Sequence, residues 1–233
     1  MKYPTYSCYV ESDIEWIGKI PATWTKKRFK YLFRSKSGGT PDTEVPEYWE
    51  GDVPWVSAKD MRSLRMEDTE DHISSRAVAA SATTLIPAGT LLLLTRSGIL
   101  RHSLPVSVSV KEMAINQDVK ACIPLKSVNP RYFAFTINAL QRQLLTLWRQ
   151  QGATVESLDF DAVKATYFVL PPFDEQCAIV DFLDEATKKI DMLTRILASV
   201  CVQEYRTALI TAAVTGKIDV RARVPKRKSR PRF

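Results

Sequence analysis

The sequence predicts an α+β globular domain followed by one long C-terminal α-helix that pairs antiparallel, in the manner of a coiled coil, with a second copy. Three observations carry this. Residues 1–172 mix short β-prone runs with loop punctuation. A Pro171-Pro172 pair then closes the last of these runs, because proline donates no ladder hydrogen bond and disfavours helix in the residue before it. Beyond it no Gly or Pro appears until Gly216, and apolar residues recur at spacings of four and three. At 233 residues, 45% of them apolar and 25% charged, the chain suffices for one full-sized domain and an accessory element.

Along the first region, Trp55-Val56-Ser57 follows a Gly-Asp turn, and Gly89-Thr90 launches LLLLTR, a run of buried-strand length. Val106–Val110 alternates apolar residues with Ser, and Val119–Ile123 is a further β-prone run. NPRYFAFTINALQRQLLTLWRQQG is a helix with both ends marked: Asn129 as N-cap, Pro130 at the first position, Gly152 just past the end. A short helix near Ser157–Val163 and a strand at Thr166–Leu170 complete the region.

In the second region Asp174 is the expected N-cap, with Glu175 adding charge suited to a helix start. Ile179, Leu183, Ala186, Ile190, Leu193, Leu197 and Val200 form a heptad seam, and Val202, Tyr205, Leu209 and Ala212 continue it on a shifted register. Gly216 suits the stop. A helix over 173–216 is a rod of roughly 60 Å at 1.5 Å per residue, longer than its own domain, so a second helix is the economical cover for the seam. The expected organisation is therefore a domain at 1–172, a pairing rod at 173–216 and a basic, disordered tail at 217–233.

Several chemistries are excluded. Amino-methylating enzymes place Asn, Asp or Ser before Pro-Pro-aromatic, whereas Leu170 precedes Pro171-Pro172-Phe173, and no Gly-x-Gly is present for a methyl donor. Pro41-Asp42 and Asp118-Val119-Lys120 match a metal-nuclease pattern in letters only, across too wide a gap. No Walker, His-Glu-x-x-His or Gly-x-Ser-x-Gly motif occurs. Cys8, Cys122, Cys177 and Cys201 are scattered, with His72 and His102 the only histidines, which predicts no zinc site and reduced thiols in a cytoplasmic protein. The longest apolar runs fall far short of a membrane span. The net charge of +7 resides in residues 221–233, which hold seven Lys/Arg and no acid. Residues 1–172 carry +3 and 173–220 carry −3. The tail suits non-specific phosphate contact or solubility.

ESDIEWIGKIPATWTKKRFKYLF, SGGTPDTEVPEYWEGDVPWVSAKDM, IPAGTLLLLTRSG, NQDVKACIP, QGATVESLDFDAVKATYFVLPPFDEQCAIVDFLDEATKKIDML and ALITAAVTGKIDV occur here in that order. Together they resemble specificity subunits of type I restriction–modification systems, over nearly the whole chain. The resemblance implies a target-recognition domain that reads double-stranded DNA and a long helix, without catalysis. Methyl donor, ATP and Mg would be bound by partner methyltransferase and translocating nuclease subunits, and no cofactor by this chain. A usual family member has two recognition domains and two long helices, whereas this sequence has one of each. It is therefore expected to be a half-subunit that homodimerises on two inverted half-sites. The alternatives are a methylation-only system and a coiled-coil scaffold that reads no DNA.

The resemblance assigns no base-reading residues. Loops after the β-like runs supply the candidates, since base reading needs Arg, Lys, Asn or Gln within reach of a groove. They are Ser57, Lys59 and Arg62; Arg96, Ser97 and Arg101; Asn116 and Gln117; and Arg149, Gln150 and Gln151. Lys26, Lys27, Arg28 and Lys30 suit phosphate. Trp16, Trp24, Tyr31 and Phe33 are expected in the core.

Overall fold

Residues 4–150, 152, 154–197 and 200–219 are described in the computed structural model, with backbone alone for 193–197 and 200–202. The chain divides into two compact units, 27–168 and a second made of 1–26 with 169–233. The first 26 residues thus belong with the C-terminal helices, not with the predicted 1–172 domain. Sequence proximity hid this, because the partners of Tyr6, Tyr9 and Trp24 lie about 150 to 210 residues away along the chain.

In the divided unit, β1 (Tyr9–Glu11) and β2 (Lys19–Pro21) form an antiparallel pair, and β3 (Thr25–Arg28) leads into the continuous unit. There β4 (Phe33–Ser37), β5 (Val53–Val56), β6 (Arg65–Met66) and β7 (Asp71–Ile73) precede α1 (Ser75–Ala80). They are followed by β8 (Thr84–Ile86), β9 (Leu91–Leu94), β10 (Val106–Ser109), β11 (Met113–Ile115) and β12 (Val119–Pro124). A five-stranded sheet runs β4-β12-β9-β10-β6 and a four-stranded sheet runs β7-β5-β11-β8. Val56, Met61, Met66, Ile86, Leu92, Leu94, Met113, Ile115, Val119 and Ala121 meet between the sheets as one apolar core. Leu91–Leu94 is buried on both faces, as an uninterrupted leucine run requires. The chain leaves β4 for the neighbouring sheet at Gly38-Gly39. A Cβ on Gly38 would stand 1.9 Å from the Ile115 carbonyl oxygen, so only glycine fits.

α2 (Pro130–Ala139) packs on β9 and β10 of the larger sheet, α3 (Gln141–Trp148) packs on α2, and α4 (Phe160–Ala165) packs on α3. Phe29, Phe33, Phe133, Phe168 and Trp148 form an aromatic cluster with centroids 4.7–6.3 Å apart. Asn129 caps α2 as expected, its side chain accepting from the Arg131 N–H at 3.0 Å. The single helix predicted for this stretch is broken at Leu140 (φ −102°, ψ 15°). The bonds Leu140 N–H to Thr136 O and Leu144 N–H to Leu140 O persist at 3.0 Å across the break. Leu140 itself is buried. Trp24 and Phe33 are core, but Tyr31 is 63% exposed, with the Lys30 ammonium over its ring.

β13 (Tyr167–Leu170) returns the chain to the divided unit. Pro171-Pro172 does there what the sequence indicated. The Pro172 carbonyl accepts from the Glu175 and Gln176 N–H groups at 2.9 and 3.0 Å and opens α5 (Phe173–Leu197). Asp174 lies inside the first turn, not at the cap. Glu175 is buried and accepts from Tyr6 Oη at 2.5 Å and Trp24 Nε1 at 3.1 Å. The predicted rod over 173–216 is not one helix. α5 ends at Leu197, α6 (Val200–Val214) follows, and the two pack on each other. Asp191 on α5 and Arg206 on α6 form an ion pair. Fifteen residues of straight helix would hold them ~22 Å apart, so the chain reverses between the helices. Gly216 (φ +73°) terminates α6, with the Lys217 N–H on the Ala212 carbonyl at 2.9 Å.

Candidate nucleic-acid interface

The strand directions in unit 27–168 gather the predicted loops at one edge. β5 and β11 run parallel, so Val56 and Ile115 end at the same side. β12 runs antiparallel to β4 and β9, so its start lies beside their ends. Backbone bonds then tie the loops in series. Asn116 N–H donates to Val56 O at 3.0 Å, Thr95 N–H to Asp118 O at 2.8 Å, and Ser97 N–H to Glu156 O at 3.0 Å. Gln150 N–H donates to Ser157 O at 2.9 Å, and Thr40 Oγ1 donates to Gln117 Oε1 at 2.7 Å. Loops from both sheets and the segment after α3 form one continuous border.

Individual side chains on this border divide by what already holds them. Arg96 is exposed, and among the described residues its guanidinium has no partner; its backbone bridges Ser157. Arg101 is 67% exposed and reaches Glu156 at 3.4 Å. Gln117 is exposed and commits only its carbonyl, to Thr40, and Gln150 likewise accepts from Ser157 Oγ at 2.9 Å. Gln151 lies outside the described residues. Arg149 is a bracing residue: its Nη2 donates to the carbonyls of Leu100 and Arg101 at 2.9 and 3.0 Å, and its Nε lies 3.5 Å from Glu156. Ser97 caps the 3-10 turn Gly98–Arg101, accepting from the Ile99 N–H.

Asn116 corrects the sequence reading. It is 5% exposed and its Oδ1 accepts from the Asp118 and Val119 N–H groups at 3.0 and 3.1 Å, so it builds the turn and does not face solvent. Ser57 is likewise structural, both its N–H and Oγ donating to Asp60 Oδ2 at 2.9 Å. Lys59 pairs with Asp71 at 2.8 Å and Glu70 at 3.4 Å, and Arg62 with Glu70 at 3.1 Å. The Asp71 carboxylate, ahead of Glu70, holds the Lys59 ammonium above the ordinary lysine range. On the same flank Lys111 bonds to Asp68 and lowers its carboxyl. On this flank the cations are paired with acids, whereas at the other end Glu156 pairs with Arg101 and Arg149 and leaves Arg96 aside.

Groups that the sequence did not single out adjoin the border. Lys120, at the start of β12, bonds to Ser37 Oγ and stands 5.6 Å from the Phe160 ring centroid; Lys164 stands equally close to the same ring and pairs with Asp161. A groove of 440 Å³ beside them is lined by Leu147, Arg149, Gln150, Leu158, Asp159, Phe160 and Asp161. The only sequence signal was the Lys of Asp118-Val119-Lys120, met there as a nuclease pattern. Asp42 caps the Glu44 N–H at 2.9 Å, and no cluster fit for a metal exists among the described residues. Of the phosphate candidates, Lys26 is engaged by Asp13 and the Ser12 carbonyl, and Arg28 lies 5.0 Å over the Tyr167 ring. Cys122 is buried, which pushes its thiol up to about 12 and leaves it no nucleophile at neutral pH.

The seam residues are shared out within the chain. Ile179, Leu183, Ile190 and Leu209 are buried, Ala186 is half-buried and Tyr205 is 50% exposed. Leu193, Leu197 and Val200 lie outside the described side chains. No described helix is long and apolar enough to cross a membrane.

With two sheets, a loop border and a helical pair in place, the architecture is that of known DNA-specificity proteins. A family model for the type I restriction modification DNA specificity domain matches residues 21–201. This chain belongs to that family. The type I restriction enzyme EcoR124I/EcoR124II specificity subunit of Escherichia coli is 32% identical over 187 residues, 80% of this chain and 43% of that protein. The MjaIX specificity subunit of Methanocaldococcus jannaschii is 26% identical over 210 residues, 87% and 46%. The HsdS subunit of Thermoanaerobacter tengcongensis shares the fold with a TM-score of 0.58 at 18% identity, over 85% of this chain and 46% of that one. So does a chain from a study of complex assembly in a type I R-M system, with a TM-score of 0.61 at 17% identity, over 93% and 49%. The chain spans about half the length of these relatives.

Proposed function

We propose that this chain is the DNA-reading specificity subunit of a cytoplasmic type I restriction–modification complex, directing methyltransferase subunits and a translocating nuclease to their site and performing no reaction itself. Methyl donor, ATP and Mg belong to those partners. The observation that carries the reading is the loop border of unit 27–168, where Arg96 stands exposed with an uncommitted guanidinium beside Arg101, Gln117 and Gln150. An arginine of this kind reads guanine O6 and N7 together, worth about 1–3 kcal/mol of discrimination per base pair. Lys59, Arg62, Ser57, Ser97 and Arg149 shape or brace the border.

The test is to sequence methylated DNA from cells expressing the chain with its methyltransferase partner. A gapped motif is expected, and Arg96→Ala relaxes one of its positions by about tenfold or more. Unchanged methylation without the chain overturns the reading, and an unaltered motif with the variant removes Arg96.

Pairing with a second copy is part of the same proposal. It is supported by the exposure of Met192 and Tyr205 on the helical pair, 66% and 50%. Two-fold pairing makes the site two inverted half-sites.

A further inference from the structure

We infer that Glu156 is a positioning residue that aims Arg101 at a guanine edge. The inference rests on the DNA reading proposed above and names the residue that sets preference at a second base pair. A carboxylate on a surface that meets DNA repels phosphate, so its presence there calls for a task that cations alone do not perform. Glu156 is such a carboxylate, 22% exposed, and its backbone is stitched on both sides. Ser97 N–H donates to the Glu156 carbonyl at 3.0 Å and Leu158 N–H to the Thr95 carbonyl at 2.8 Å. From the other side Gln150 N–H donates to Ser157 O at 2.9 Å, and Asp159 N–H to Trp148 O at 2.7 Å. Residues 156–158 are thereby held between the end of β9 and the end of α3, and the carboxylate rises from a fixed base.

Its two oxygens serve two arginines of different fate. Oε2 lies 3.5 Å from Arg149 Nε, and Arg149 is spent inside the fold, its Nη2 donating to the carbonyls of Leu100 and Arg101 at 2.9 and 3.0 Å. Oε1 accepts from Arg101 Nε at 3.4 Å. Arg149 therefore holds the main chain of Arg101, and Glu156 holds its side chain. Arg101 is 67% exposed, and among the described residues its two terminal nitrogens have no partner. A guanidinium has five N–H donors, and occupying the one on Nε leaves the four at the far end, a planar fork that matches guanine O6 and N7. A side chain already held in place gives up less rotamer freedom on binding, which is worth roughly two- to tenfold in affinity.

The test uses the complex assembled with its methyltransferase partner, and duplexes in which each base pair of the methylated motif is replaced in turn. Arg101→Ala is expected to abolish discrimination at one guanine. Glu156→Ala is expected to reduce discrimination at that same guanine by roughly two- to tenfold and to leave the other positions as they were. Combining the two changes adds nothing to Arg101→Ala alone, because the acid acts through the arginine. Glu156→Asp keeps the charge but withdraws it by one methylene, so it relaxes the same position, and it decides should Glu156→Ala fail to fold. Four results overturn the aiming role: an Arg101→Ala complex with unaltered preference, a Glu156→Asp complex with native preference, a loss spread evenly over all positions, or losses that add in the double variant. A native complex that binds motif and scrambled duplexes alike overturns the DNA reading itself.

Discussion

Asn116 and Gln117 are adjacent in the chain and have opposite roles. Gln117 is exposed at the border, while Asn116 is buried with its oxygen on two backbone N–H groups. Residue type alone suits either role, since an amide that reads adenine is also one that closes a turn. The spacing Asn-x-Asp before a β-prone run was the available hint, because short polar side chains cap their own backbone two residues on. We expect Asn116→Ala to remove the acceptor of one buried and one part-buried N–H group and to destabilise the fold by about 1–3 kcal/mol. The check is a lower denaturation midpoint with the sequence preference of the remaining folded protein unchanged; a normal midpoint with altered preference returns Asn116 to the reading surface. The exposure of Arg96 was legible for the converse reason: a strand buried on both faces has to be followed by residues that leave the core, and Arg96, after buried Thr95, is the first to do so.

At the scale of elements, periodic and well-capped segments were legible. LLLL became β9, Asn129-Pro130 opened α2, and Gly216 closed α6. The breaks at Leu140 and after Leu197 were not, because both fall in sequence that is locally helical and are set by what the helices pack against. The seat of the N-terminal segment was equally hidden, since it depends on Glu175, a residue that reads as helix-start charge. Buried between Tyr6 and Trp24, this carboxylate instead ties residues 4–26 to α5. Glu175→Ala is expected to strand the Trp24 N–H and cost about 1–3 kcal/mol, and to release the N-terminal segment to limited proteolysis before the rest of the chain. Glu175→Gln, which keeps an acceptor for Trp24, is expected to protect that segment in large part. Equal proteolysis of the alanine variant and the native chain would show that Glu175 does not tie the segment.

For the whole molecule, net charge misleads and its placement informs. The surplus of +7 sits at 221–233, outside the described residues, whereas the proposed reading border carries few basic groups and pairs several of them with acids. On the proposed function such a border divides its labour, with Arg96 expected on base edges and nearby lysines on phosphate, because phosphate contacts set register and base contacts set preference. Lys120 is the lysine we expect to perform the second task. It lies at the start of β12 beside the 116–118 turn, lodged over Phe160 and bonded to Ser37, with no carboxylate pairing among the described residues. Each phosphate contact releases about one counterion, so in the assembled complex Lys120→Ala is expected to lower the slope of log affinity against log salt by about one. The same variant should weaken binding to cognate and scrambled duplexes in equal proportion. Arg96→Ala is expected to do the reverse, narrowing the gap between the two duplexes. Fluorescence anisotropy over a salt series on both duplexes separates these outcomes. Should Lys120→Ala shift the cognate duplex alone, the lysine reads bases, and the border extends along β12 toward the groove beside Phe160.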